Sequence, residues 1–283
     1  MEIGIQWPLV LFTLIAGAGF GLLATAGLAQ LAAEPGKKTK QIALIGAIVL
    51  LGVGGLMSVF HLAHPERFMG AIANLLSFSG IALELLGLAF GGVAALVFLL
   101  VVSMENKAGE KVLAVCSILI GVAAAFLQGY AYFEVAAQPG WHQIALAFGY
   151  LFTSLALGAL AYAAIAAGRA EDEAGLRLIG KAACGLAVLA VVADAVYAAG
   201  LGGAGLLEGD AVLFAVLSLA FALATAGAAA WFAFKAPTLP LAVAGVLAGV
   251  GGALCVRLLM WAVAAYQLNF IWEATVNRGL YLF

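Results

Sequence analysis

Charge is scarce in this chain: Asp, Glu, Lys and Arg make up 9% of its 283 residues, against roughly 25% in a soluble domain. A globule of this length could not cover itself with polar surface, which excludes a soluble enzyme or carrier. Histidine is rarer still, with three residues, His61, His64 and His142. A haem held in a helical bundle needs axial histidines on facing helices within the membrane, and all three lie at one end of the helices read below, so no haem is expected. The three cysteines, Cys116, Cys184 and Cys255, stand in separate hydrophobic segments. None has CxxC or other metal-ligand spacing. An iron–sulfur cluster or other metal site in this chain is therefore not expected, and the cysteines read as small buried side chains. A formal net charge of −2 with no basic patch excludes nucleic acid as a partner. The first six residues lack a basic n-region and the apolar run behind them is too long for an h-region, so no cleaved signal peptide is expected.

Apolar residues, at 66% of the chain, are what is present instead. Windows of about twenty apolar residues, the length of a membrane-crossing helix, recur eight times. They cover about Pro8–Ala32, Ile42–Leu62, Leu75–Ser103, Val112–Phe133, Gln143–Ala167, Ile179–Gly200, Ala211–Phe234 and Leu239–Ala264. The fold class that follows is all-α: a polytopic membrane protein of eight transmembrane helices packed as helical bundles. Residues 1–283 form one integral membrane domain, since no loop is long enough to hold a soluble one. The pairs Gly17/Gly21, Gly87/Gly91 and Gly245/Gly249 have the spacing that lets helices approach closely in lipid, where no hydrophobic drive exists between them.

The basic residues of the short loops orient the bundle. Lys37, Lys38, Lys40, Lys107, Lys111, Arg169, Arg177, Lys181 and Lys235 all belong to odd-numbered connections, whereas the termini and even-numbered connections hold only Arg67 and Arg278. Nine against two places both termini outside, on the outer (periplasmic or extracellular) face. Trp7, His61, Trp141 and an aromatic tail with Trp272, Tyr281 and Phe283 lie on the same side.

Against this background one stretch stands out. Met57–Phe68, running on to Ser79–Glu84, gathers His61, His64, Glu66, Arg67 and Glu84 where the second helix ends and the third begins. Charges inside a membrane mark a site or an internal ion pair. Glu84, Asp194 and Arg257 are the three well within spans, and all fall in the outer half. Glu84 is about nine residues, roughly 13 Å, past the outer end of its span. Tyr130 and Glu134 close the fourth span at the same level. Plainer readings stand beside these: His61 can snorkel to the headgroups, His64 and His142 can face water, and Arg257 with Glu84 or Asp194 can be a structural ion pair. Nothing polar balances the cluster at the midplane or in the inner half, as a transported ion would require. What fits is an apolar-walled outer pocket with an imidazole and a carboxylate. Such a pocket suits a quinol, whose hydroxyls lose protons on oxidation.

The same residues carry a family resemblance. Trp7-Pro8-Leu9 followed by Phe12-Thr13, then Ser58-x-x-His61-Leu62-x-x-Pro65-x-Arg67, Ser79 five residues ahead of Glu84, Tyr132…Pro139-x-Trp141, and Arg257 in the last span resemble the membrane anchor subunit of bacterial dimethyl sulfoxide reductase. The resemblance covers essentially the full length. It implies a haem-free, multi-pass subunit of the inner (cytoplasmic) membrane. Such a subunit oxidises menaquinol and passes the electrons to a four-cluster iron–sulfur subunit bound to a molybdopterin catalytic subunit. It implies His61 and Glu84 in quinol binding. Arg257, Tyr130 and Asp194 are candidates beside them on their common depth, and His64, Glu66 and Arg67 are candidates for the partner interface. A polysulfide-reductase-type anchor is the nearest alternative, and a secondary transporter the alternative from another class.

Overall fold

The computed structural model describes residues 5–60, 73 and 75–264. Among the described residues every long element is helical: α1 (Trp7–Ala32), α2 (Lys37–Val59), α3 (Gly80–Ser103), α4 (Lys107–Phe133), α5 (Ile144–Gly168), α6 (Glu173–Gly203), α7 (Asp210–Phe234) and α8 (Leu239–Ala264). All eight are long and apolar enough to cross a membrane, as the hydropathy windows predict. The boundaries differ where charge is concerned. Helices α2, α4 and α6 begin five or six residues before the predicted spans and run through Lys37–Lys40, Lys107–Lys111 and Glu173–Lys181. An apolar window stops at a charge, whereas a helix continues wherever its end is capped. Asn106 accepts from Gly109 N at 3.0 Å and Asp172 from Gly175 N at 3.0 Å, satisfying backbone donors at the starts of α4 and α6.

Two rings of four helices make up the molecule. Helix α1 packs on α2, α2 on α3, α3 on α4 and α4 back on α1; α5 to α8 close in the same order, and α1 and α4 join the rings through α5. Helices α1 and α5 are accordingly the most buried, while α3 and α7 present mostly lipid-facing surface. The seam between the rings is made by glycine. A Cβ on Gly158 of α5 would collide with the backbone of Gly21 and Leu22 in α1, and one on Gly21 with the backbone of Ser154. The three GxxxG pairs named above all lie at helix contacts: besides Gly21, Gly87 meets Ala124, Gly91 meets Phe20, and Gly245 and Gly249 meet Leu160 and Leu157. Gly158→Ala is expected to destabilise the protein by about 1–3 kcal/mol, the cost of overpacking a close contact. Gly185→Ala, which meets nothing within 4 Å, should leave the thermal unfolding of the detergent-solubilised protein unchanged. Equal melting curves for the two variants would contradict this seam.

The basic loops share one end of the bundle and are laced together there. Glu171, at the α5–α6 turn, accepts from Gly36 N at 3.1 Å and from the Thr39 hydroxyl, tying one ring to the other. Lys37 reaches Ser103 O at 3.0 Å and Glu105 at 2.7 Å. The hydrogen bond and charge of Lys37 hold the exposed Glu105 carboxyl below its ordinary range. Deeper in, Lys40 and Glu110 form an ion pair at 2.5 Å with both side chains buried.

Candidate functional site

The end of the bundle opposite the basic loops is built differently. A cavity of about 390 Å³ lies where α2 ends, α3 begins and α4 ends, a size that accepts a small organic ligand. Leu9 and Phe12 of α1, Ser58 of α2, and Ser79, Gly80, Ile81, Glu84 and Leu85 of α3 line one side. Ala131, Tyr132, Glu134 and Val135 of α4, with Trp141 and Trp261, line the other. Ile81 is 61% exposed, so the cavity reaches the lipid-facing surface of α3.

Local sequence sets this geometry. Helix α3 begins at Gly80 rather than at Leu75 as predicted. Leu75–Ser77 make a separate 3₁₀ turn, Phe78 takes a left-handed backbone at φ 50°, and the Ser79 hydroxyl accepts from Ala82 N at 3.4 Å to start the helix. Glu84 is therefore only four residues into α3, ~6 Å along its axis, and shallower than the sequence suggests. Gly80 and Gly87 flank it about one helical turn to either side, and their absent Cβ atoms would face Ala131 at 2.9 Å and Ala124 at 3.1 Å. That register puts Glu84 on the face of α3 that meets α4. Its Oε1 is buried and has no hydrogen-bond partner among the described residues. A buried acceptor left unpaired costs free energy, so this atom is poised for a ligand donor.

An aromatic wall stands across from the carboxylate. Tyr132 packs edge-on against Trp141 and Trp261 at ring distances of 5.3 and 6.4 Å, and the two tryptophans pack on each other at 5.2 Å. Trp141 is fixed by donating from Nε1 to Met260 O at 2.9 Å. Behind the wall sits Tyr150, 5.9 Å from Tyr132, and over its ring lies the Arg257 guanidinium at 4.2 Å.

Of the residues predicted from sequence, Glu84 lines the cavity. Arg257 does not; it is wholly buried one layer behind, its Nε and Nη2 donating to Thr13 Oγ1 and O at 2.9 Å and its Nη1 to Ala253 O at 2.8 Å. Asp194 is buried against Gly149 of α5, outside the lining, and neither carboxylate oxygen has a hydrogen-bond partner among the described residues. Tyr130 also falls outside the lining; it stacks instead on Phe126 and meets Phe133 at a tilt. Tyr132, two residues on, faces the cavity, because two residues turn a helix by about 200°. His142 donates from Nδ1 to Phe133 O at 2.6 Å and stacks on that ring, which caps the end of α4. His61, His64, Glu66 and Arg67 lie outside the described residues, as does the tail beyond Ala264. Sequence reasoning missed Tyr132, Trp141 and Trp261 as a wall. The signal available was their aromatic character at helix ends on one face.

The sequence model of the DMSO reductase anchor subunit (DmsC) matches residues 1–204. The chain belongs to this family. The matched segment holds α1 to α6 and every lining residue of the cavity except Trp261. Over 164 residues the chain is 29% identical to the anaerobic dimethyl sulfoxide reductase chain YnfH of Escherichia coli (strain K12). That match covers 56% of this anchor-family chain and 57% of the relative, so it spans little more than half of each.

Proposed function

We propose that the chain anchors a dimethyl sulfoxide reductase-type complex in the inner membrane and oxidises menaquinol in the cavity beside Glu84. The observation that carries this reading is the pairing, in one lipid-reaching cavity, of a buried carboxylate oxygen that has no hydrogen-bond partner among the described residues with an aromatic wall. A quinol presents a flat ring to such a wall, keeps its isoprenoid tail in the bilayer past Ile81, and offers a hydroxyl proton to Glu84. Oxidation releases two electrons and two protons. Glu84 takes up a proton in this reading, and His61, which the family resemblance implies in quinol binding, is the other proton acceptor. The electrons leave to an iron–sulfur subunit docked at the same end, where His64, Glu66 and Arg67 are the proposed contacts, and from there to a molybdopterin catalytic subunit. The loop charges support placing that end outside: nine of the eleven basic residues of the loops and termini belong to the connections at the opposite end of the bundle, the side that stays in the cytoplasm.

Binding tests the cavity directly. A hydroxyquinoline N-oxide, a flat quinol analogue, should quench its own fluorescence on binding to the solubilised complex, at one site per chain. Ala131→Phe, which fills the cavity between α3 and α4, should weaken that binding at least tenfold. Unaltered affinity in Ala131→Phe would place the quinol elsewhere.

A further inference from the structure

Buried side-chain atoms that lack a hydrogen-bond partner among the described residues are scattered over the bundle, from Gln30 and Tyr162 to Asp194. Two of them belong to residues that line the cavity: Oε1 of Glu84 and Nε1 of Trp261. They differ in kind. A carboxylate oxygen accepts hydrogen bonds, whereas an indole N–H donates and cannot accept. Trp261 is 4% exposed, and a buried indole N–H ordinarily finds a partner, as that of its neighbour Trp141 does on Met260 O at 2.9 Å. The Ser58 and Ser79 hydroxyls of the lining are also engaged, the first on Gly55 O at 2.7 Å and the second with Ala82 N at 3.4 Å. Leaving a buried donor unpaired costs free energy. Glu84 comes from α3 and Trp261 from α8, so the cavity offers a ligand one acceptor from the first ring of helices and one donor from the second.

Ring geometry limits what Trp261 can contribute. The Tyr132 ring meets Trp141 at 87° and Trp261 at 79°, so a ligand ring lying flat on Tyr132 cannot also stack on either tryptophan. What Trp261 adds to such a ligand is polar: one N–H in the plane of the indole. On the quinol reading above, we propose that Trp261 Nε1–H is the second polar anchor of the quinol, donating to the ring oxygen remote from the hydroxyl held by Glu84. A ring with oxygen at both ends satisfies the pair, giving Glu84 a donor and Trp261 an acceptor, whereas a monophenol leaves one of them unpaired. The remote oxygen accepts from the indole as a hydroxyl and as a quinone carbonyl alike, so this bond persists through oxidation. The indole takes up no proton; it fixes which way round the ring sits, and so which hydroxyl meets Glu84. Trp261 lies beyond residues 1–204, the part of the chain that the family model matches, and the anchor is read from the fold of this chain.

Exchange of the N–H for sulfur tests this without turnover. Trp261→3-benzothienylalanine in the purified complex keeps the shape of the indole and removes the donor. Affinity for a 4-hydroxyquinoline N-oxide, which carries an oxygen at each end of one ring, should fall about tenfold, the size of one hydrogen bond to a buried group. The melting temperature of the ligand-free complex should stay where it is, because the N–H has no partner among the described residues to lose. Trp261→Phe also removes the donor and should lose the same affinity, which serves if the analogue is not incorporated. In ultraviolet resonance Raman spectra of the wild type, the hydrogen-bond-sensitive indole band that Trp261→Phe removes should shift when the N-oxide binds. A lowered melting temperature with unchanged affinity would make the N–H a structural donor and overturn the proposal. Binding that Ala131→Phe weakens but neither Trp261 variant changes, with the Raman band unmoved, overturns the anchor and leaves the quinol cavity standing. Binding that Ala131→Phe leaves unaltered removes the quinol from the cavity, and the anchor with it.

Discussion

A Glu84→Gln variant assembles normally and loses quinol-dependent electron transfer by about 10²–10⁴-fold, the contribution of a positioned general base. Glutamine keeps the shape of the side chain, so the aromatic wall of Tyr132, Trp141 and Trp261 still receives the ring. Affinity for the hydroxyquinoline N-oxide should change less than tenfold, because only one hydrogen bond is altered. What is lost is the group that takes up the proton. An artificial soluble donor that feeds the partner subunits directly bypasses this step, and the rate with that donor should stay at the wild-type level. Glu134 provides the control. It lines the same cavity, but its exposed position gives it water as an alternative partner, and Glu134→Gln should cost a few-fold at most. Near-normal quinol turnover in Glu84→Gln, with the complex intact, would remove Glu84 from the chemistry.

The contrast between Glu84 and its neighbours shows what a sequence can disclose in a protein of this kind. Helix number and class are written in one dimension, because a bilayer accepts only segments of a certain length and apolarity. Glu84 was legible for the same reason: a lone carboxylate in an apolar run is conspicuous wherever its partners are. The difference between Tyr130 and Tyr132 was not, since both are aromatic, both lie near the end of α4, and only the rotation of that helix against α3 selects the second. Arg257 and Asp194 were legible as buried but not as lying one layer back, because that depends on Tyr150 intervening between Arg257 and Tyr132. Likewise the start of α3 follows from how Gly80 fits against Ala131, and hydropathy carries no trace of that contact. The basic end was legible only as a set of loop charges. That Lys40 is drawn into the bundle by a glutamate 70 positions away needs the fold.

That ion pair is where the largest loss of stability is expected. Lys40 and Glu110 are 3% and 1% exposed, and their contact at 2.5 Å joins the start of α2 to the first turn of α4. Removing one member of a buried pair strands the other and costs about 3–5 kcal/mol. The two single variants should not be equal. In Lys40→Met, Glu110 keeps Lys107 at 3.7 Å on its own helix, a solvated side chain that can swing closer and soften the loss. In Glu110→Leu, no second carboxylate within salt-bridge distance remains for Lys40 among the described residues, and the ammonium is left in an apolar setting. Glu110→Leu should therefore lie at the upper end of the range and Lys40→Met at the lower. The double variant Lys40→Met/Glu110→Leu replaces two desolvated charges by apolar side chains and should return to within about 1 kcal/mol of the wild type, as buried pairs exchanged for hydrophobic ones often do. Thermal denaturation of the solubilised protein measures all three. Additive losses in the double variant would mean that the charges act separately, with partners other than each other, and that the contact between α2 and α4 is held by their apolar packing alone.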